Sequence, residues 1–554
     1  MTRLSYILAI IFLVSGGQML AQPGSPLGGK DTLVLENERI EDVIESEKPF
    51  EKPPYQQISQ GNLDPVRFDA KDFYIGTDFQ PAPPDIRPLD KAPKPDYNSN
   101  YLRLGIGRYI TPIAEIGIYN KDSRELDYGI RFTHRSAHKD KIVQRRFRED
   151  YGTVEVSKIS RDNVISASAS VYNTGYFNYA DTVFANNTEL REDSLRMGFT
   201  DVAFRVGLKR IARNPGEYFL DATAGIGVYL DGRANRESEI ILRPAGGYRI
   251  NENLSANLNT ELSLTQGQIG RRGQVRPFID LNPTLSFVNE KVSLRAGIRF
   301  NYFVNSADST SEVVNLGPDI NLDFAVVPEV LTAFGGYTAG VSKNPYQDLI
   351  FENRYLGPSA NIRATVETMH LYAGIKGVLD NKLDYSARVF YRRVLDQLVY
   401  ITEDDVYFRP VYDSLTTHAG LHGEVGYQVT DALQAGGAIT YTALNTTNAD
   451  GLTPKLFNVS PLRIEGFAAY RWEDKLTARA GLLLYGPAPM KVDENDEIIT
   501  RNIFPSVIVN ADYRITDNFS VFVRVNNLLN INYQRWYNYP ERNLDFLAGI
   551  LLAF

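Results

Sequence analysis

Apolar and polar residues alternate along most of this chain. Val507, Val509, Ala511 and Tyr513 interleave with Ser506, Ile508, Asn510, Asp512 and Arg514. After Thr516-Asp517-Asn518, the set Phe519, Val521, Val523, Val525 interleaves with Ser520, Phe522, Arg524, Asn526. A further run places Phe546, Ala548, Ile550, Leu552 and Phe554 on one face. Successive side chains leave a strand on opposite faces, so a period of two predicts strands. The same texture recurs upstream. Val292, Leu294, Ala296, Ile298, Phe300 and Tyr302 oppose Ser293, Arg295, Gly297, Arg299 and Asn301, and Leu254, Ala256, Leu258, Leu262 and Leu264 oppose Ser255, Asn257, Asn259, Glu261 and Ser263.

The polar face decides between two all-β folds. It carries Glu261, Arg295, Arg299, Glu424, Arg463, Glu465, Arg479, Asp512 and Arg524. In the dry core of a soluble sandwich each unpaired charge would cost several kcal/mol. A wet lumen accepts them, while the apolar face meets lipid. The pattern therefore predicts an all-β, transmembrane, antiparallel up-and-down β-barrel, with these nine residues lining the lumen as a salt-bridge network.

Short polar segments punctuate the alternation: Asp122-Ser123-Arg124, Arg161-Asp162-Asn163, Arg213 to Gly216, Asn251-Glu252-Asn253, Asn289-Glu290-Lys291, Val327-Pro328-Glu329, Asp380-Asn381-Lys382, Thr430-Asp431, Glu473-Asp474-Lys475 and Thr516-Asp517-Asn518. They recur about every 40 to 50 residues, the interval that two strands, a tight turn and a longer loop require. About 22 strands follow. Tyr248, Tyr427, Trp472, Tyr513 and Phe519 lie beside these turns, and Tyr302, Tyr391 and Tyr441 lie toward the loop ends, as two interfacial girdles would.

The first hundred residues differ. Residues 1–21 read as a cleaved signal peptide, with Arg3 ahead of an apolar stretch and Ala21 at the cleavage site. Residues 22–100 hold twelve of the 28 prolines and carry 15 acidic against 9 basic residues. Proline at that density forbids helix and central strand, so this is an acidic, extended periplasmic arm, with the barrel over residues 101–554. The arm, or loops folded inward, is expected to fill the lumen, because a barrel of this strand number has a bore that needs plugging.

Composition adds exclusions. The chain has no cysteine, which removes disulfides and thiolate catalysis, and its net charge of −8 argues against nucleic acid. His418, His422 and Glu424 share a strand face, but four residues of strand span about 13 Å, too far for one metal ion. The acidic run Asp493 to Glu497 reads as a solvated loop. No catalytic motif, cofactor site or metal site is expected, and the chain reads as a non-enzyme.

Gly549, Leu552 and Phe554 resemble the glycine, hydrophobic and terminal aromatic positions of an outer-membrane assembly signal; Leu547 stands where a polar residue is usual. Val525-Asn526-Asn527-Leu528-Leu529-Asn530-Ile531-Asn532-Tyr533, then Trp536-Tyr537 and Pro540-Glu541-Arg542, resemble the last extracellular loop of TonB-dependent receptors. Tyr372 to Gly377, Asp380 to Leu383, Phe390-Tyr391 and Asp396-Gln397-Leu398 resemble a mid-barrel hairpin of that family. The family's folded plug has no counterpart in the proline-rich arm, so the chain is similar to plugless, receptor-like barrels of Bacteroidota type, and TonB coupling is put in question. The resemblance implies an outer-membrane, porin-like transport barrel for a small solute in a Gram-negative bacterium. Its implied partners are outer-membrane lipid, the barrel assembly machinery and other outer-membrane or periplasmic subunits reached through the arm. The alternative is a non-transporting barrel that scaffolds an outer-membrane assembly or export complex.

Overall fold

Strands that face lipid must satisfy every backbone group, which only a closed barrel does. The computed structural model closes one. It describes residues 100–554, apart from residues 121–124, 140–144, 181–195, 305–311 and 448–455 and positions 213, 271, 329, 403, 474, 494 and 496. The signal peptide and almost all of the arm lie outside the described residues. Twenty-two strands form one antiparallel sheet, each paired with its neighbours in sequence. Tyr101–Gly107 pairs with Asp545–Ala553, from Tyr101↔Ala553 to Gly107↔Leu547, so no strand edge remains open. Asp122-Ser123-Arg124 lies outside the described residues, and the other turns named from the sequence fall at strand junctions on one end, for example Asn289 to Lys291 between Arg272–Val288 and Val292–Val304.

The outer surface is a continuous apolar belt. Ile106 is 61% exposed, Leu316 69% and Val389 62%, while Arg103, Asn315 and Asn301 are buried inside. A monomer with this much exposed apolar area has a lipid-facing wall. Tyr248, Tyr427, Trp472 and Tyr513 stand exposed beside the tight turns, and Tyr391 and Tyr441 toward the far end. By the usual asymmetry of such barrels the tight turns are periplasmic and the long connections extracellular.

The inner wall is not purely polar. Aromatic rings lie over cross-strand glycines: Phe390 pairs with Gly420, Phe467 with Gly436, and Phe522 with Gly549. The ring fills the space a missing side chain leaves. At the closure Gly549 also faces Gly105, and a β-carbon there would meet the Leu104 carbonyl oxygen at 2.1 Å and the Phe522 ring at 2.5 Å. Glycine at this position thus has a packing reason of its own, apart from any assembly signal.

Strand length varies sharply around the barrel. At the closure, strands run 7 to 9 residues (Tyr101–Gly107, Phe519–Asn526, Asp545–Ala553). Opposite stand Thr365–Leu379, Leu383–Thr402 and Phe408–Thr430, of 15, 20 and 23 residues. The excess projects past the lipid belt on the extracellular side and organises the site.

Candidate functional site

The tall hairpin changes character halfway up. Along Leu383–Thr402 the outward face is lipid-like through Val389 and Tyr391, then reaches exposed Arg393. Beyond it Leu398, Val399 and Tyr400 are all buried, so both faces are covered. Asp396 marks the switch. It and Ser414 opposite are both missing from the ladder between Leu395↔Leu415 and Gln397↔Asp413, which keeps its register, and Asp396 has φ 50°, a left-handed residue inside the strand. Its carbonyl accepts a hydrogen bond from Thr365 Oγ1 at 2.9 Å.

Past Asp396 the hairpin is sandwiched. Leu398, Tyr400 and Phe408 join one cluster with Tyr176, Tyr179, Tyr229, Tyr346, Leu349, Leu356, Trp536 and Tyr539. Val399 joins another with Leu456 and Phe457. The first draws residues from wall strands on the opposite side of the barrel and from several long connections, so the loops meet across the extracellular end. Tyr355 stacks on Tyr539 with ring centroids 3.5 Å apart, Tyr179 abuts Tyr539 edge-on at 5.0 Å, and Trp536 lies 5.3 Å from Phe408. The connection from Leu331–Ser342 to Thr365–Leu379 carries the only helix among the described residues, α1 (Tyr346–Glu352). Leu356 makes a parallel bridge to Phe408, extending the hairpin by one short edge. Burial among these rings holds the Tyr346 and Tyr539 hydroxyls well above the usual tyrosine range.

Charged residues fasten this connection to the wall. Glu237 is paired with Arg276, both buried, and accepts the backbone N–H groups of Tyr346 at 3.2 Å and Gln347 at 3.1 Å. Lys343 Nζ reaches Glu239 at 2.5 Å, Glu261 at 2.6 Å and Ser263 Oγ at 2.9 Å. From the other side Arg145 donates to the Glu541 carbonyl at 2.9 Å, and Arg542 donates back to the Arg145 carbonyl at 2.7 Å.

The nine charged residues named from the sequence alternate with the exposed apolar positions at various heights, and several meet partners outside the set. Arg463 pairs with Glu465. Arg295 pairs with Asp319 at 3.1 Å, Arg299 grips Asp280 through Nη2 at 2.5 Å, Glu261 binds Arg243 and Lys343, and Glu424 faces His422 at 3.7 Å. Arg524 lies 5.1 Å from the Phe522 ring; Arg479 and Asp512 sit in adjoining strands, Leu476–Tyr485 and Phe504–Thr516. His422 Nδ1 meets Thr440 Oγ1 at 2.9 Å, and no group of three metal-binding side chains occurs among the described residues. In the acidic run, Asp493 Oδ1 accepts the Asn495 and Glu497 amides, a turn joining Ala488–Val492 to Ile498–Arg501.

Sequence reasoning missed the loop assembly and its fastenings Glu237, Arg276 and Lys343. One signal was present: non-alternating aromatics such as Tyr346, Tyr355, Trp536 and Tyr539 are too many for solvated loops.

A closed 22-stranded antiparallel barrel capped by structured loops is the architecture of outer-membrane receptors. Solved structures with this fold include the FrpB iron transporter from Neisseria meningitidis, with a TM-score of 0.67 and 14% identity over 82% of each chain. The ferric-catecholate import receptor Fiu from E. coli K12 matches with a TM-score of 0.61 and 12% identity over 82% of each. The siderophore receptor PiuA from Acinetobacter baumannii matches with 0.61 and 11%, over 82% of this chain and 81% of that one. These neighbours are transporters and receptors, not enzymes. At such identities the shared property is the fold. No family model matches the chain, and no curated protein matches it in sequence.

Proposed function

We propose that this chain is an outer-membrane transport barrel for a small solute, exported through a cleaved signal peptide, whose extracellular mouth is closed by its own folded-in loops. The supporting observation is the aromatic cluster, which unites Tyr176 and Tyr229 on one wall with Leu398 and Phe408 from the other and Trp536 from the last long connection. A loop assembly with a dry core and buried ion pairs to the wall has the makings of a gate, since both ends of each loop stay anchored in strands. Residues 22–100 enter the membrane wall at Asn100, whose carbonyl accepts the Phe554 amide at 2.9 Å, so the arm starts at the tight-turn rim and serves as a second, periplasmic stopper. The lumen-facing charges, Arg295 and Arg299 among them, form the polar wall that a solute passes.

Planar-bilayer conductance tests this. Replacing residues 345–362 by a short Gly-Ser linker should convert a silent barrel into one with large, stable channels, and deleting residues 23–99 should add to that current. A linker variant that assembles yet stays silent would reject the loops as the closure.

A further inference from the structure

Inside the loop assembly are hydrogen-bond donors that nothing among the described residues satisfies. Arg354 is 6% exposed; its Nε and Nη1 are buried with no hydrogen-bond partner, and it forms no ion pair there. Its guanidinium lies 5.3 Å from the Tyr176 ring, and Tyr176 Oη donates to the Arg354 carbonyl at 2.8 Å. Arg233 arrives from the turn after Tyr218–Asp231, donates through Nη1 to the Leu356 carbonyl two residues from Arg354, and leaves Nη2 buried and unmatched. The Tyr229 hydroxyl and Asn353 Nδ2 are unmatched too.

Three carboxylates of the assembly are already engaged. Asp231 accepts the Arg233 amide at 2.8 Å, the Asn235 amide at 2.9 Å, Asn235 Nδ2 at 2.9 Å and the Tyr346 hydroxyl at 3.3 Å, which fills its acceptor positions. Glu237 belongs to Arg276, and Glu352 accepts the Tyr400 hydroxyl at 2.8 Å. A buried guanidinium without a counter-charge is costly, and its planar fork fits carboxylate or phosphate oxygens.

We propose that Arg233 and Arg354, with the Tyr229 hydroxyl, form a binding site for a small oxyanion, a carboxylate or phosphate group, held inside the closed loop assembly. The tyrosines around it exclude water and strengthen the charge-assisted bonds. This deepens the transport reading by giving the solute a charge, and it rests on that reading only for the site's purpose.

Calorimetric titration of the full-length protein in detergent tests it, with citrate and inorganic phosphate as probes and chloride at matched ionic strength as control. Saturable binding of citrate or phosphate is expected, and which of the two binds identifies the group. Arg354→Gln should weaken it at least tenfold and Arg354→Lys less, while Lys475→Gln at an exposed tight turn should leave it unchanged. Absence of saturable binding by the wild type, or equal affinity in Arg354→Gln, overturns the proposal. Should Arg354→Gln fail to fold, Tyr229→Phe removes a single hydroxyl and must still weaken binding several-fold; unchanged affinity there also overturns it. Binding is read without flux, so a barrel that never conducts and yet binds citrate would sink the transport reading and leave this site standing.

Discussion

The closure wall and the tall wall obey different rules. At the closure, 7 to 9 residues per strand suffice to cross the apolar belt, and each residue serves either lipid or lumen. The tall wall begins the same way in Leu383–Thr402, but after Asp396 its residues are buried on both faces by loops. One hairpin is thus a membrane strand pair below and a soluble-protein layer above. The comparison teaches that the wall thickness lipid demands is short, and that everything beyond it is available for building the loop assembly.

Substitutions at five sites probe that contrast, beginning with the largest effect. Gly549→Val at the closure should abolish the folded barrel, read as loss of heat-modifiable migration in gels, because the space is taken by backbone and by Phe522. Trp536→Ala in the loop cluster should cost about 3–5 kcal/mol of loop stability. Glu237→Ala, which strands buried Arg276, should cost a similar ~3–5 kcal/mol. For both, faster protease cleavage in the connection holding α1 with an intact barrel is the expected reading; co-unfolding of the barrel would erase the distinction between the two layers. Ile298→Arg on the lipid face should cost about 2–4 kcal/mol in vesicle-based urea unfolding, while Ile298→Leu should be silent. At Asp396 the left-handed backbone makes Asp396→Gly nearly neutral and Asp396→Val costly by ~1–2 kcal/mol; equal effects would show that the left-handed backbone there carries no strain.

Much of the wall was legible residue by residue. The alternation in Val292–Val304 placed Ile298 outside and Asn301 inside, as found, because lipid and lumen impose opposite demands on adjacent positions. Ion-pair partners were not legible. Arg295 and Arg299 meet Asp319 and Asp280, contributed by the two flanking strands, and cross-strand register is set by turns and bulges that a single strand does not reveal. The loop assembly escaped for a related reason. Tyr176, Tyr346, Phe408 and Trp536 are far apart in sequence and have no common period, so only their meeting makes them a core.

By itself, then, the sequence determined the strands, their two faces, the closed barrel and its approximate strand number, since period-two patterning is a local property that each segment states independently. The tertiary structure alone decided that the tall wall is covered on both faces beyond Asp396, that distant loops share one aromatic core, and that Arg233 and Arg354 are brought into it. Those features depend on contacts between remote segments, whose energies come from burial and geometry that no local pattern encodes.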